Sequence, residues 1–286
     1  MPLIFPQPNV FGGVGIPCIN WSHPLSYKLA FCSVTQPGYV FDLITGRKAT
    51  IATGVQPSVS LYGLPYKAGS TDATKADFGT WQPLTGGDTT IIAIANPAAS
   101  GVVNPFLFNQ RHGSTDYTQI TLLADVNYQS VANSGYFALY VQNTVGLQCG
   151  ANATSGVDGN FHVFGGKFLF GGNASVWLDG KNVTASAPNS VAGTLVTGSQ
   201  AVVVGGVGAQ AADDGAANCS IPLVLAWNRA LSDAEMIYIG KNPYCFLIYP
   251  YPRSQVISTG TGPTLNIAMI SLMNSASWRK YEMIGY

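Results

Sequence analysis

Carboxylates are the residues through which a chain of this composition would do hydrolytic chemistry, and only two of them are glutamates, Glu235 and Glu282. Cleavage of a glycosidic bond needs two carboxyls facing one cleft. Neither glutamate lies in a strand-like run, and no paired-carboxylate strand motif occurs. The aspartates Asp42, Asp158, Asp179, Asp213 and Asp214 fall in turn-like sequence, where a short carboxylate bonds to nearby backbone N–H groups. His23, His112 and His162 are far apart and lack metal-ligand spacing. No Gly-x-Ser-x-Gly elbow is present. The two Gly-Gly-Val-Gly stretches, at 12–15 and 205–208, are not followed by the Lys-Ser or Lys-Thr of a phosphate loop. On this reading the chain has no catalytic residues and is not an enzyme.

Binding chemistry has more to stand on. Calcium takes six to eight oxygens, and loop carbonyls can supply some of them. The stretch "QAADDGAANC" offers Asp213, Asp214 and Asn218, and "ANATSGVDGN" offers Asp158 and Asn160. Calcium is therefore the one candidate cofactor, weighed against a plain glycine-rich loop. Sugar recognition would use exposed aromatic faces beside amides. Trp81, Tyr117 and Tyr128 are the candidates, with Tyr66 also considered. Trp177 lies between Val176 and Leu178 and reads as core, whereas Trp81 sits in a polar stretch.

Composition limits the partners. Only 9% of residues are charged, 47% are hydrophobic, and thirteen basic residues balance thirteen acidic ones. No basic patch marks a nucleic-acid site. No apolar run approaches the length of a membrane-spanning helix, and "MPLIFPQPNVFGG" makes a poor secretory signal. So little charge gives weak protection against self-association. Either partners cover the surface, as in a homo-oligomer or larger assembly, or the surface is polar and uncharged. Five cysteines without a C-x-x-C pair read as buried thiols.

The elements that must position these residues are mostly strands. Residues 1–17 read as an extended, proline-rich apolar arm, residues 18–250 as one folded unit, and residues 251–286 as a C-terminal extension. Strand-like segments recur at 89–97, 104–112, 117–127, 135–143, 199–208 and 221–228, with a further one at 58–62. Residues 66–88 read as a polar, turn-rich loop. Val176-Trp177-Leu178, followed by Asp179-Gly180 and Asn182-Val183, is the strongest hairpin signal. A turn is expected at Thr45-Gly46. In "LVLAWNRALSDAEMIYIGKNP", Ser232 and Glu235 have capping-box spacing. Leu231 and Met236 fit a hydrophobic staple, Ile237 and Ile239 add apolar cover, and Gly240 with Pro243 would end the helix. A helix of about two turns is not stable alone, so it must pack on a sheet. These elements predict an all-β, two-sheet antiparallel sandwich with one short C-terminal capping helix and extended terminal arms.

Three stretches carry a likeness: "INWSHPLSYKLAF" with "VFDLITGRKAT", "NFHVFGGKFLFGGNASVWLDGKNV", and "IPLVLAWNRALSDAEMIYIGKNPYCFL". The sequence resembles the laminin G-like, concanavalin A-like jelly-roll domains of phage and prophage virion proteins over residues 18–250. The resemblance implies a jelly-roll fold and a structural virion protein of a tailed phage: a capsid decoration, fibre or tail-associated subunit. It would be located in the virion and contact other virion proteins. Turn and capping-box spacing already give structural roles to Asp42, Asp179, Gly180, Ser232 and Glu235; the resemblance adds Arg229, bonding carbonyls at strand ends, with Leu231 and Ile237 closing the core. The alternative is a carbohydrate-binding, lectin-like module on a virion or cell surface, with glycans as partners.

Overall fold

The computed structural model describes residues 17–36, 39–51, 66–67, 75–85, 87–97, 106–110, 120–124, 137–143, 146–153, 156–185, 201–206 and 219–248. In chain order the strands are β1 (Cys18–Ile19), β2 (Leu29–Gln36), β3 (Tyr39–Asp42), β4 (Thr50–Ile51), β5 (Tyr66–Lys67), β6 (Ala76–Thr80), β7 (Thr89–Ala95), β8 (Phe106–Gln110) and β9 (Ile120–Ala124). They continue with β10 (Phe137–Asn143), β11 (Gly146–Ala153), β12 (His162–Phe168), β13 (Ser175–Leu178), β14 (Lys181–Asn182), β15 (Ala201–Val204), β16 (Ser220–Ile221), β17 (Leu223–Trp227) and β18 (Leu247–Ile248). One α-helix, α1 (Asp233–Lys241), and a 3-10 turn at Pro24–Ser26 complete the set.

Two seven-stranded antiparallel sheets dominate. One runs β11-β10-β9-β8-β15-β6-β4, and the other β14-β13-β12-β7-β17-β2-β3. The chain is an all-β sandwich. Between the sheets Phe31, Phe108, Phe137, Phe164, Leu122 and Val224 are buried in one cluster. Phe137 and Phe164 meet edge to face across the gap, 5.1 Å between ring centroids. Strand β7 shows why its sequence, TTIIAIA, is apolar on both faces. Ile91 and Ala93 point into this inner cluster, whereas Ile92 and Ile94 point the other way, into a second cluster with Leu225, Trp227 and Met236. A strand covered on both faces reads as a continuous hydrophobic run.

Helix α1 supplies that outer cover. Ser232 caps it, and the reciprocal capping box with Glu235 is formed. Leu231, Met236 and Ile239 are buried against the sheet. Ile237 is 43% exposed; the inward position expected of it belongs to Ile239. The helix continues through Gly240 to Lys241, and Asn242 caps it. Gly240 is thus not the terminator. A Cβ there would land on the backbone of Gly180, so Gly240 is where the helix touches the β13–β14 turn. Asp179 (φ 51°) and Gly180 (φ 76°) are both left-handed in that turn, as a two-residue hairpin of this kind requires.

Two other expectations change. Residues 66–88 are not all loop: Ala76–Thr80 forms β6, between β15 and β4. Gly79, with φ 76°, disguises it. The strand expected at 58–62, the arm up to residue 16 and the extension from 251 to 286 lie outside the described residues. At the ends of the sandwich, β1 pairs with β18, Cys18 opposite Ile248.

Candidate functional site

One turn of the sandwich is fastened with unusual thoroughness. The last residue of β17 and the two after it hold the backbone of residues 25–28: the Trp227 indole N–H donates to Leu25 O (2.6 Å), the Asn228 backbone N–H to Lys28 O (3.0 Å), and Arg229 Nε to Tyr27 O (3.0 Å). Arg229 also grips Glu235 with both terminal nitrogens, at 2.9 and 2.8 Å. Hydrogen bonds from this guanidinium hold the Glu235 carboxyl down at about 2. The capping box of α1 and the turn at Lys28 are therefore one hydrogen-bonded unit. The expected structural roles of Arg229, Ser232 and Glu235 have this geometry.

A second fastening lies opposite. Asp42 is fully buried. Its carboxylate accepts from Cys32 N (2.9 Å), Ile44 N (3.3 Å), Thr45 N (2.9 Å) and Thr45 Oγ1 (2.6 Å). Gly46 N donates to Asp42 O, and Asp42 N to Arg47 O. One carboxylate thus shapes the whole turn after β3. A third fastening holds residues 83–85. Asn228 Oδ1 accepts from Thr85 N (2.8 Å), Asn228 Nδ2 donates to Pro83 O (2.7 Å), and Gln110 Nε2 donates to Leu84 O (2.7 Å).

Between these three turns lies an open cleft of about 500 Å³. Lys28, Leu29, Ala30, Ile44, Thr45, Trp81, Gln82, Pro83, Thr85 and Asn228 line it. Among the described residues the lining holds one cation and no carboxylate. Trp81 is half-buried, rests on the inner core, and lies 5.9 Å from Phe31 between ring centroids. The Arg47 guanidinium sits over the Trp81 ring, 5.3 Å from its centre. Tyr27, 65% exposed, stands beside Lys28, whose ammonium is 5.7 Å from the Tyr27 ring centre. The aromatic, amide and hydroxyl groups of this cleft suit a polyhydroxylated ligand with an apolar face.

Of the sequence-stated binding candidates, Trp81 is at this cleft. Tyr117 and Tyr128 lie outside the described residues, as do Asp213, Asp214 and Asn218 of the calcium candidate. Trp177 is buried, as expected. Tyr27, Lys28 and Arg47 were missed. "SYKL" and "TGRK" are the signals that would have found them, since each puts a cation in or beside a turn.

A separate polar cluster lies at the β13–β14 turn. His162 Nδ1 is 2.7 Å from Asp179 Oδ2, and His162 Nε2 is 3.2 Å from Asp158 Oδ1. Asp179 Oδ1 also accepts from Val163 N (2.9 Å). The hydrogen bond to Asp179 raises the His162 pKa, with both carboxylates adding attraction. Asp179 therefore does more than turn the chain. Among the described residues no cluster of His, Cys, Asp and Glu is arranged to hold a metal ion.

No family model and no curated protein sequence matches the chain. Solved structures do share its fold. Trypanosoma rangeli sialidase in complex with sialic acid superposes with a TM-score of 0.56 at 13% identity, over 77% of this chain and 34% of that one. The binding domain of Paraclostridial Mosquitocidal Protein 1 superposes with a TM-score of 0.56 at 11% identity, over 76% of this chain and 52% of that one. The chain thus spans about a third to a half of the proteins it superposes on. At these identities the likeness shows a two-sheet β-sandwich fold and nothing finer. It does correct one expectation. Sialidases are enzymes, so this sandwich occurs within enzymes, and a missing glutamate pair does not make the chain a non-enzyme.

Proposed function

We propose that this protein is a carbohydrate-binding, lectin-like sandwich whose saccharide site is the cleft between Lys28, Thr45 and Trp81. The observation that carries this reading is Trp81 itself. Its indole packs on the inner core beside Phe31, on the wall of a cleft lined otherwise by amide, hydroxyl and aliphatic groups and the Lys28 side chain. A sugar presents an apolar face to an aromatic ring and hydroxyls to surrounding amides. The three fastened turns lower the entropy lost on binding, because the cleft is formed before the ligand arrives. The superposition on a sialidase holding sialic acid and on a toxin binding domain supports the reading at the level of fold. Binding to a printed glycan array tests it. Trp81→Ala is expected to abolish reproducible binding while leaving the unfolding midpoint within a few degrees, and array signals unchanged by that substitution would refute the site.

A second reading, a structural virion protein of a tailed phage, is favoured by the 9% charge content and by exposed apolar side chains near the joined ends. Trp21 is 61% exposed and Ile248 47%. Other virion subunits, or further copies of the chain, would cover them. Solution mass of the full chain beside one trimmed to residues 18–250 tests this: an unchanged monomer in both would end it. A lectin and a virion subunit are compatible roles.

A further inference from the structure

Charge is scarce in this chain, at 9% of residues, yet two cations meet at the cleft. Lys28 lines it. Arg47 lies over the ring of the lining residue Trp81, 5.3 Å from its centre. No carboxylate comes within ion-pair distance of either cation among the described residues. The nearest acid in the turn, Asp42, is fully buried and its oxygens are engaged by four hydrogen bonds from Cys32, Ile44 and Thr45.

The backbone that carries both cations is set by the fold. Lys28 has φ 57°, a left-handed conformation that a side-chain-bearing residue holds only when its surroundings impose it. Here they do: Asn228 N bonds Lys28 O and Arg229 Nε bonds Tyr27 O. Arg47 is set by the Asp42 turn, through Asp42 N to Arg47 O (2.8 Å) and Arg47 N to Thr45 Oγ1 (3.3 Å). A cation resting on an aromatic face, beside a cleft with no carboxylate among its described lining residues, is matched to an anion bound to something flat and apolar. A planar guanidinium takes a carboxylate or sulfate with two parallel hydrogen bonds.

We propose that the cleft is selective for acidic saccharides, with the sugar seated beside the stacked Trp81–Arg47 pair and its carboxylate or sulfate held by Arg47 and Lys28. This rests on the saccharide site proposed above and names its ligand class.

Titration calorimetry on the full chain tests it with four probes: a galacturonate trisaccharide, a sulfated chondroitin tetrasaccharide, a neutral galactose trisaccharide and a deoxythymidine decamer. The reading is the ratio of acidic to neutral affinity. At low salt that ratio is expected to be well above one for the uronate, the sulfate ester or both, and the stronger of the two identifies the acid group. It is expected to fall about tenfold in Arg47→Gln, the loss when a charge-assisted hydrogen bond becomes a neutral one. It also falls when salt rises from about 50 to about 500 mM, because exposed charges are screened. Lys181→Gln, which removes an exposed cation on β14, leaves the ratio unchanged. Neutral and acidic sugars binding alike, with Trp81→Ala abolishing both, would overturn the acidic selectivity while the saccharide site stands. No saccharide binding at all would overturn both. Tighter binding of the oligonucleotide than of either acidic sugar would reassign the cleft to another class of anion.

Discussion

At the scale of single residues, two carboxylate clasps set how stability changes with pH, and they work in opposite directions. Glu235 is held by Arg229 at about 2, below its ordinary 4.5. Its contribution is present above pH 4.5 and is lost as the pH falls toward 2. His162 is raised above 6.5 by Asp179 and Asp158. Its contribution is full below pH 6.5 and is lost as the pH rises through the folded-state value. Glu235→Gln is expected to cost about 1 kcal/mol at pH 6, with the gap to the parent closing between pH 4.5 and 2. His162→Asn is expected to cost a similar amount at pH 5.5, with its gap closing as the pH rises above 6.5 through the folded-state value. Urea denaturation across pH 3–9 reads both. Parallel profiles for parent and variants would show that neither clasp bears on folding. Sequence alone made Glu235 legible, because its partner Ser232 is three residues away. It did not reveal the His162 clasp, because Asp179 stands opposite only once β12 and β13 pair.

At the scale of elements, the contact of α1 with the β13–β14 turn is made backbone to backbone. Gly→Ala in a helix interior ordinarily stabilises by about 1 kcal/mol. At Gly240 the sign reverses, since a Cβ there would occupy the space of Gly180 N and Cα. Neither backbone can yield without lifting Met236 and Ile239 from the outer cluster. Gly240→Ala is expected to destabilise by about 3 kcal/mol, measured by chemical denaturation, and a neutral or stabilising result would mean the helix does not sit against the turn. The pair was hidden in the sequence for a physical reason: Gly180 announces a hairpin and Gly240 a helix end, and each reading is complete without the other. Strand β6 was missed for a related reason. "ADFGT" holds a charge and a left-handed glycine, and only the neighbours β15 and β4 make it a strand. Trp81 follows directly after it, and its half-burial depends on Phe31, fifty residues earlier.

At the scale of the whole molecule, the sandwich is closed by contacts between its two ends. Phe246 is fully buried. It packs edge to face on Trp227, 6.2 Å between centroids, and lies 6.1 Å from the His23 ring. Its carbonyl accepts from Asn20 N (2.8 Å), and Leu247 pairs with Ile19. The contacts of Phe246 with His23 and Asn20 and of Leu247 with Ile19 join residues more than two hundred positions apart. Bringing such distant segments together is entropically costly until the intervening strands are formed. The closure should therefore follow the assembly of the two sheets. Phe246→Ala removes a large buried ring and is expected to lower stability by about 3 to 5 kcal/mol. If closure is late, nearly all of that loss appears as faster unfolding, and the refolding rate changes little. Stopped-flow refolding and unfolding in urea separate the two limbs. A refolding rate that drops by the full equilibrium change would instead place the junction of the two ends in the folding nucleus, with the sheets forming around it.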